Sequence, residues 1–399
     1  MKKILLIIVV LISVMSCSRK TVPTQPQPVS KSPENAMKPA YVGAAQLDLL
    51  IPKLKSKRVA LVVNHTSLVG KTHLADTLKS MGVSLIKIFA PEHGFRGQAA
   101  DGEHVNDSVD KKTGVALVSL YGKNRKPTAQ QLSDIDIVVF DIQDVGARFY
   151  TYISTMHYVM EACAENGKSV LILDRPNPNG SYVDGPILQP ALKSFVGMHP
   201  IPITHGMTVG ELAQMINGEG WLEGGKKCNL EIIPLRNWKH DDDYSLPVKP
   251  SPNLPNDQAV RLYPSICLFE GTVISLGRGT QIPFLVLGNP ELKSLPFTFT
   301  PVDIKGMAND PPLENKLCYG VDLRNVPVAR KVDLKYLLQF YQLYPDKEKF
   351  FISSFDRLAG TTVLKQQIKD GFTEEQIRES WQKDLDAFKE TRKKYLLYP

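Results

Sequence analysis

Paired cysteines, nucleotide-binding glycine motifs and any second long apolar run are missing from this 399-residue chain, and each absence excludes a class of protein. Cysteine is scarce, at five residues; Cys163, Cys228, Cys267 and Cys318 stand far apart with no C-x-x-C pair, which argues against a structural zinc site. Cys163 and Cys267 lie in apolar-periodic contexts and read as buried free thiols. No G-x-G-x-x-G follows the first strand, where the turn is NHTSLVG, so a dinucleotide cofactor is disfavoured. The phosphate-binding G-x-x-x-x-G-K-[ST] loop and the G-x-S-x-G elbow are absent too, which counts against a nucleotide hydrolase and a serine hydrolase. The net charge of +7 is spread along the chain, with no basic block beyond Lys111-Lys112 and Arg392-Lys393-Lys394. Nucleic acid is therefore not an expected partner. A mild positive balance does suit an anionic polymer.

What is present begins with an export signal. Lys2 and Lys3 precede an apolar run from Ile4 to Ile12, the length of a signal-peptide core and too short to span a bilayer. Val14-Met15-Ser16-Cys17 then matches a lipoprotein-processing box, with Cys17 as the lipidated first residue of the mature chain. Residues 18–44 are rich in Pro, Ser, Gln and Lys and read as a flexible tether. The only expected membrane contact is through this lipid, with the body facing the periplasm.

The remaining roughly 350 residues exceed what one core usually serves, so two domains are expected, at residues 45–240 and 241–399. In the first, apolar runs at residues 58–63, 84–89, 115–120, 135–140 and 169–173 alternate with helical patterns. That alternation predicts an α/β fold with a mostly parallel sheet covered on both faces. Ligands of such sheets bind beyond the carboxyl ends of the strands. The densest polar and Gly/Pro chemistry lies there: His65; Glu92 and His93; Asp141, Gln143 and Asp144; Asp174 and Arg175. Thr208 and Glu211 form the pattern of a helix capping box, with His205 just before it. In the second half, Glu270 and Arg278 stand on glycine-bearing segments where backbone can approach a ligand.

Glu92, between Pro91 and His93 at a strand end, is the first candidate for catalysis. Each of the others has a plainer reading beside the functional one. Asp141, Asp144 and Arg148 would equally make an internal ion-pair cluster, and Tyr150 and Tyr152 would pack a helix start or face a sugar ring. His65, His205 and the acids lack the spacing of a metal site, and no cofactor is expected.

Six ordered segments, PEHGFRG, DIQDVGARFYTY, LDRPNPNG, HGMTVGE, YPSICLFEGT and SLGRGTQIPF, resemble the exo-β-N-acetylmuramidase family, glycoside hydrolase family 171. The resemblance runs from about Gln46 to the C-terminus. It implies a Rossmann-like N-terminal domain, a smaller α+β C-terminal domain and an active site in the cleft between them. It further implies release of N-acetylmuramic acid from the non-reducing ends of peptidoglycan fragments, with Glu92 matching the glutamate favoured as catalytic. Glycoside hydrolysis calls for a second carboxylate, for which Asp141, Asp174 and Glu270 are all open. Arg148 or Arg278 is expected on the lactyl carboxylate of the sugar. His65, His93, Gln143, Asp144, Tyr152, Asp174, Arg175 and His205 are expected to contact substrate. A non-catalytic lipoprotein that captures the same anionic sugars is the alternative.

Overall fold

Val59–Val63 and Ile137–Asp141 are buried along their entire length, as strands are when helices cover both faces of a sheet. The computed structural model of the chain describes residues 39–92, 94–96, 108–122 and 124–399, so Cys17 and His93 lie outside the described residues. In chain order the main sheet contains β1 (Val59–Val63), β2 (Leu85–Ala90), β3 (Ser108–Val109), β4 (Ala116–Ser119), β5 (Ile137–Asp141), β6 (Ser169–Leu173) and β7 (Asn229–Ile233). Their spatial order is β3-β4-β2-β1-β5-β6-β7, parallel throughout except for the short edge strand β3. The five apolar runs picked out in the sequence are β1, β2, β4, β5 and β6, each within about two residues of its expected bounds.

The period of two along the strands sorts residues onto two cores. Leu61, Val63, Val139 and Leu171 point to a smaller core under the helices Leu47–Leu54 and Leu74–Ser80. Ala60, Val62, Val138, Phe140 and Ile172 point to the larger one. The helices Tyr152–Glu165 and Val209–Gly218 cover that second face, and the same core runs on into Phe269, Phe284, Phe340 and Trp381 of the C-terminal half. Residues 39–399 accordingly form one compact unit. The C-terminal part has a small antiparallel sheet of its own, in which β10 (Cys318–Asp322) lies between β8 (Val286–Asn289) and β9 (Phe297–Phe299). The long helix Glu374–Lys393 reaches the N-terminal half, with Arg378 on Asp184 and Arg392 on the Gly206 carbonyl. The boundary expected near residue 240 falls in the irregular stretch between β7 and the helix Asp257–Ile266.

All four cysteines beyond Cys17 are buried and free. The capping box read at Thr208 is present: its hydroxyl accepts from the Glu211 amide at 3.3 Å, and the Glu211 carboxylate accepts from the Thr208 amide at 2.8 Å. Gly167 follows the helix Tyr152–Glu165 with φ of 63°, as a helix-ending glycine does. Tyr263 and Pro264, to which the sequence pattern assigned no element, lie inside the helix Asp257–Ile266. Among the described residues, no helix is long and apolar enough to cross a membrane.

Candidate active site

Parallel strands bring their carboxyl ends to one edge, and two loops there shape a cleft against the C-terminal half. After β2 the chain turns through Pro91 to Gly94, whose amide donates to the Pro91 carbonyl at 3.0 Å, and this turn carries Glu92. After β5 the loop 142–151 folds back and opens the helix Tyr152–Glu165. Gly146 is required in that loop: its φ is 76°, and a Cβ would lie 2.1 Å from Asn177 Oδ1. Thr151 Oγ1 donates to Glu92 Oε2 at 2.9 Å, and the Tyr152 hydroxyl reaches the Glu92 carbonyl at 3.4 Å.

The opposite wall comes from the C-terminal half. Glu270 lies on the single turn Cys267–Gly271, packed so tightly that a Cβ on Gly271 would sit 2.5 Å from Phe355 Cα. Arg278 Nε donates to Glu270 Oε1 at 2.6 Å, and the Cys267 thiol lies 3.7 Å from Oε2. Beside them Phe284 adopts φ of 61°, a left-handed conformation that costs energy in a bulky residue and tends to be kept at functional sites. Its ring centroid lies 5.0 Å from that of Tyr263 and 5.3 Å from the Arg278 guanidinium carbon.

Between these walls is a cavity of about 460 Å³, lined among others by Glu92, Thr151, Tyr152, Tyr263, Glu270 and Arg278. A space of that volume holds a small ligand, and both a polar and an aromatic lining suit a sugar. Two carboxylates facing one cavity are what glycosidic hydrolysis requires: one to protonate the leaving oxygen, one to meet the positive centre that develops. Their surroundings differ. Glu270 has a guanidinium against it, whereas Glu92 has a hydroxyl partner and, among the described residues, no cation within ion-pair distance.

The remaining polar residues of the strand ends lie beneath the cleft and hold its loops. Asp141, expected as a possible second carboxylate, is fully buried and is not part of the cavity wall; Arg175 takes both of its oxygens, at 2.5 and 2.9 Å. Arg175 also donates to the Leu68 carbonyl at 3.2 Å. Asp174 accepts four bonds, from Arg175 N, Gly210 N, Thr208 Oγ1 and Tyr398 Oη, and burial pushes its carboxyl up to about 6. Arg148, expected on a substrate carboxylate, spends its guanidinium on the carbonyls of Pro186, Ile201, Leu358 and Ala359, and desolvation lowers it to about 9. Gln143 bonds the carbonyls of Asp144 and Pro176.

Asp144 and His205 approach to 3.9 Å, within ion-pair distance, yet burial favours the neutral form of each. It raises Asp144 to about 7 and lowers His205 to about 3, so between these values the contact is one of uncharged groups. His65 lies apart from the cleft, in a pocket with His73 and Arg96, and its Nε2 contacts the Lys249 carbonyl at 2.9 Å.

The fold therefore brings Glu92, Tyr152, Glu270 and Arg278 together and leaves Asp141, Gln143, Asp144, Arg148, Asp174, Arg175, His65 and His205 out of the cavity wall. Two models of the exo-β-N-acetylmuramidase NamZ family match the chain, its N-terminal part over residues 59–258 and its C-terminal part over residues 261–398. The chain belongs to the exo-β-N-acetylmuramidase family. It is 42% identical to the peptidoglycan β-N-acetylmuramidase NamZ of Bacillus subtilis strain 168, covering 92% of this chain and 95% of that relative. Two crystal structures of DUF1343 family proteins from Bacteroides fragilis share the fold, each covering 90% of this chain and 99% of its own. One has 47% identity and a TM-score of 0.85, the other 31% and 0.76.

Within this family member, sequence reasoning missed several wall residues. Thr151 was hidden inside RFYTYIST, where the tyrosines drew attention, though a hydroxyl at the start of a helix pointing toward a strand end was a usable signal. Ser251, Asn253, Asn309 and Asp310 come from irregular segments with no periodicity to place them.

Proposed function

We propose that the chain is an exo-acting glycoside hydrolase that releases N-acetylmuramic acid from the non-reducing ends of peptidoglycan fragments. The observation that carries this reading is the pairing of Glu92 and Glu270 across one cavity in a member of this family. Glu92, with a neutral hydroxyl partner, is the proton donor to the leaving oxygen. Glu270, with Arg278 against it, carries negative charge toward the oxocarbenium-like centre, either as nucleophile or as base for the attacking water. Tyr152 and Tyr263 offer aromatic surface to the ring, and Tyr152 also braces the backbone of Glu92.

The test is product analysis on N-acetylmuramyl-terminated glycan strands. Free N-acetylmuramic acid should appear from the first time point while the chains shorten one unit at a time. Early accumulation of internal fragments without the monosaccharide would overturn exo-action. We also propose that Cys17 carries the lipid that holds this activity at a membrane facing the periplasm, a reading supported by the apolar run and processing box alone. Metabolic labelling with a radioactive fatty acid should mark the chain and not Cys17→Ser; label retained in that variant would refute it.

A further inference from the structure

Beyond Glu92 the cleft continues into a second arm of about 430 Å³, lined by Tyr121, Arg125, Phe195, Ser354 and Arg357 and sharing Glu92 and Glu270 with the main cavity. Its two arginines have no part in the chemistry above. Among the described residues, neither has a carboxylate within ion-pair distance, whereas the other two arginines considered for substrate are taken. Arg278 is paired with Glu270, and Arg148 is buried on four carbonyls.

Both arginines are supported from behind. The Arg125 guanidinium lies 4.2 Å from the centroid of the Phe195 ring, which stacks on Tyr158 with an interplanar angle of 12°. Phe195 is held in a closed turn, Ser194 and Gly197 exchanging backbone bonds of 2.9 and 3.1 Å, with Ser154 Oγ donating to the Phe195 carbonyl at 2.7 Å. The turn packs beside the backbone of Arg357, whose carbonyl oxygen is 3.8 Å from where a Gly197 Cβ would be. Arg357 itself stands on the short helix Phe355–Ala359, anchored by Arg148 through the Leu358 and Ala359 carbonyls.

The carboxylate of an anionic sugar calls for cationic donors, and Arg278 of the main cavity is already engaged by Glu270. We propose that Arg125 and Arg357 form a carboxylate-recognising subsite that takes the lactyl carboxylate distinguishing N-acetylmuramic acid from N-acetylglucosamine. This rests on the muramidase reading. Planar guanidinium donors suit a carboxylate, and a support that fixes them lowers the cost of ordering two long side chains. A carboxylate at the end of a peptide stem offers the same chemistry from a different place on the substrate.

Arg125→Gln, Arg357→Gln and Arg357→Lys are to be compared with the parent on two N-acetylmuramic acid β-glycosides, one with the free lactyl carboxylate and one with its carboxamide, and on a third whose lactyl group carries a peptide stem. On the carboxylate, each Gln variant should raise KM by about 10- to 100-fold, with Arg357→Lys intermediate. On the carboxamide the same variants should differ from the parent by less than about twofold, since no charge remains to be lost. Equal losses on both substrates, or none on the carboxylate, would overturn the proposal. Losses confined to a substrate whose lactyl group carries a peptide stem would replace the lactyl assignment with the stem carboxylate. If the parent turns over neither substrate, the muramidase reading fails, and calorimetric titration with free N-acetylmuramic acid and its lactamide then reads the subsite alone. A preference of at least about tenfold for the acid that vanishes in Arg357→Gln would sustain it. Equal binding of the two would dismiss it.

Discussion

Asp144 shows how a residue can sit in the densest chemistry of a sequence and still serve the scaffold. Its Oδ2 accepts from the Gly146 amide at 2.7 Å, fixing the loop that delivers Thr151 to Glu92. Burial holds this carboxyl near 7 in the folded chain, against an ordinary value of 3.8. Between roughly pH 4 and 7 the folded state therefore keeps a proton that the unfolded chain has released. Its contribution to stability is complete below about pH 4 and is lost as the pH rises through about 7. Asp174, raised to about 6, adds to the trend in the same direction. Asp144→Asn is neutral at every pH and retains an acceptor for the Gly146 amide. Denaturant titrations should show its stability relative to the parent improving by up to a few kcal/mol between pH 4 and 8. A gap that stays constant across that range would contradict a buried, proton-retaining carboxyl. The sequence alone did not separate such residues from the catalytic pair. Asp141, Asp174 and Glu92 all stand at strand ends, and what distinguishes them is whether a partner from elsewhere in the chain, such as Arg175 or Tyr398, reaches them.

At the scale of elements the reading from sequence went further, because a period of two along strands and capping patterns at helix starts are local. The strands β1, β2, β4, β5 and β6 and the capped helix Val209–Gly218 were legible for that reason. The helix Asp257–Ile266 was not read from the sequence; within it Pro264 leaves the Val260 carbonyl without its intrahelical donor, and Asn179 Nδ2 donates there at 3.0 Å instead. Nor was the role of Arg148 legible, since its four acceptor carbonyls come from three segments, the farthest at Leu358 and Ala359. Replacing this arginine strands those carbonyls in the interior. Arg148→Met should cost at least about 3 kcal/mol by urea unfolding, because buried acceptors left without donors forfeit their desolvation energy. A loss below about 1 kcal/mol would mean that water replaces the guanidinium and that the helix bearing Arg357 is held by other contacts.

Over the whole molecule, the cleft exists because one core serves both halves. Val138 and Phe140 of the sheet share a cluster with Phe269 beside Glu270 and with Phe284 under Arg278, so the wall carrying Glu270 is fixed relative to the wall carrying Glu92. The chain end adds a second fastening: the Tyr398 hydroxyl donates to Asp174 at 2.6 Å, and the Leu397 amide donates to Glu211 at 2.8 Å. Such an arrangement suits a reaction in which two carboxylates must hold their spacing about a single bond. The most direct test is turnover of a chromogenic N-acetylmuramic acid β-glycoside by the parent, Glu92→Gln and Glu270→Gln, with all three shown to fold alike by their unfolding transitions. The account predicts turnover by the parent, a bell-shaped pH–rate profile, and losses in kcat of at least about a hundredfold in each variant. A parent that turns over the glycoside while both variants match its rate would contradict the assignment of this cleft as the catalytic centre.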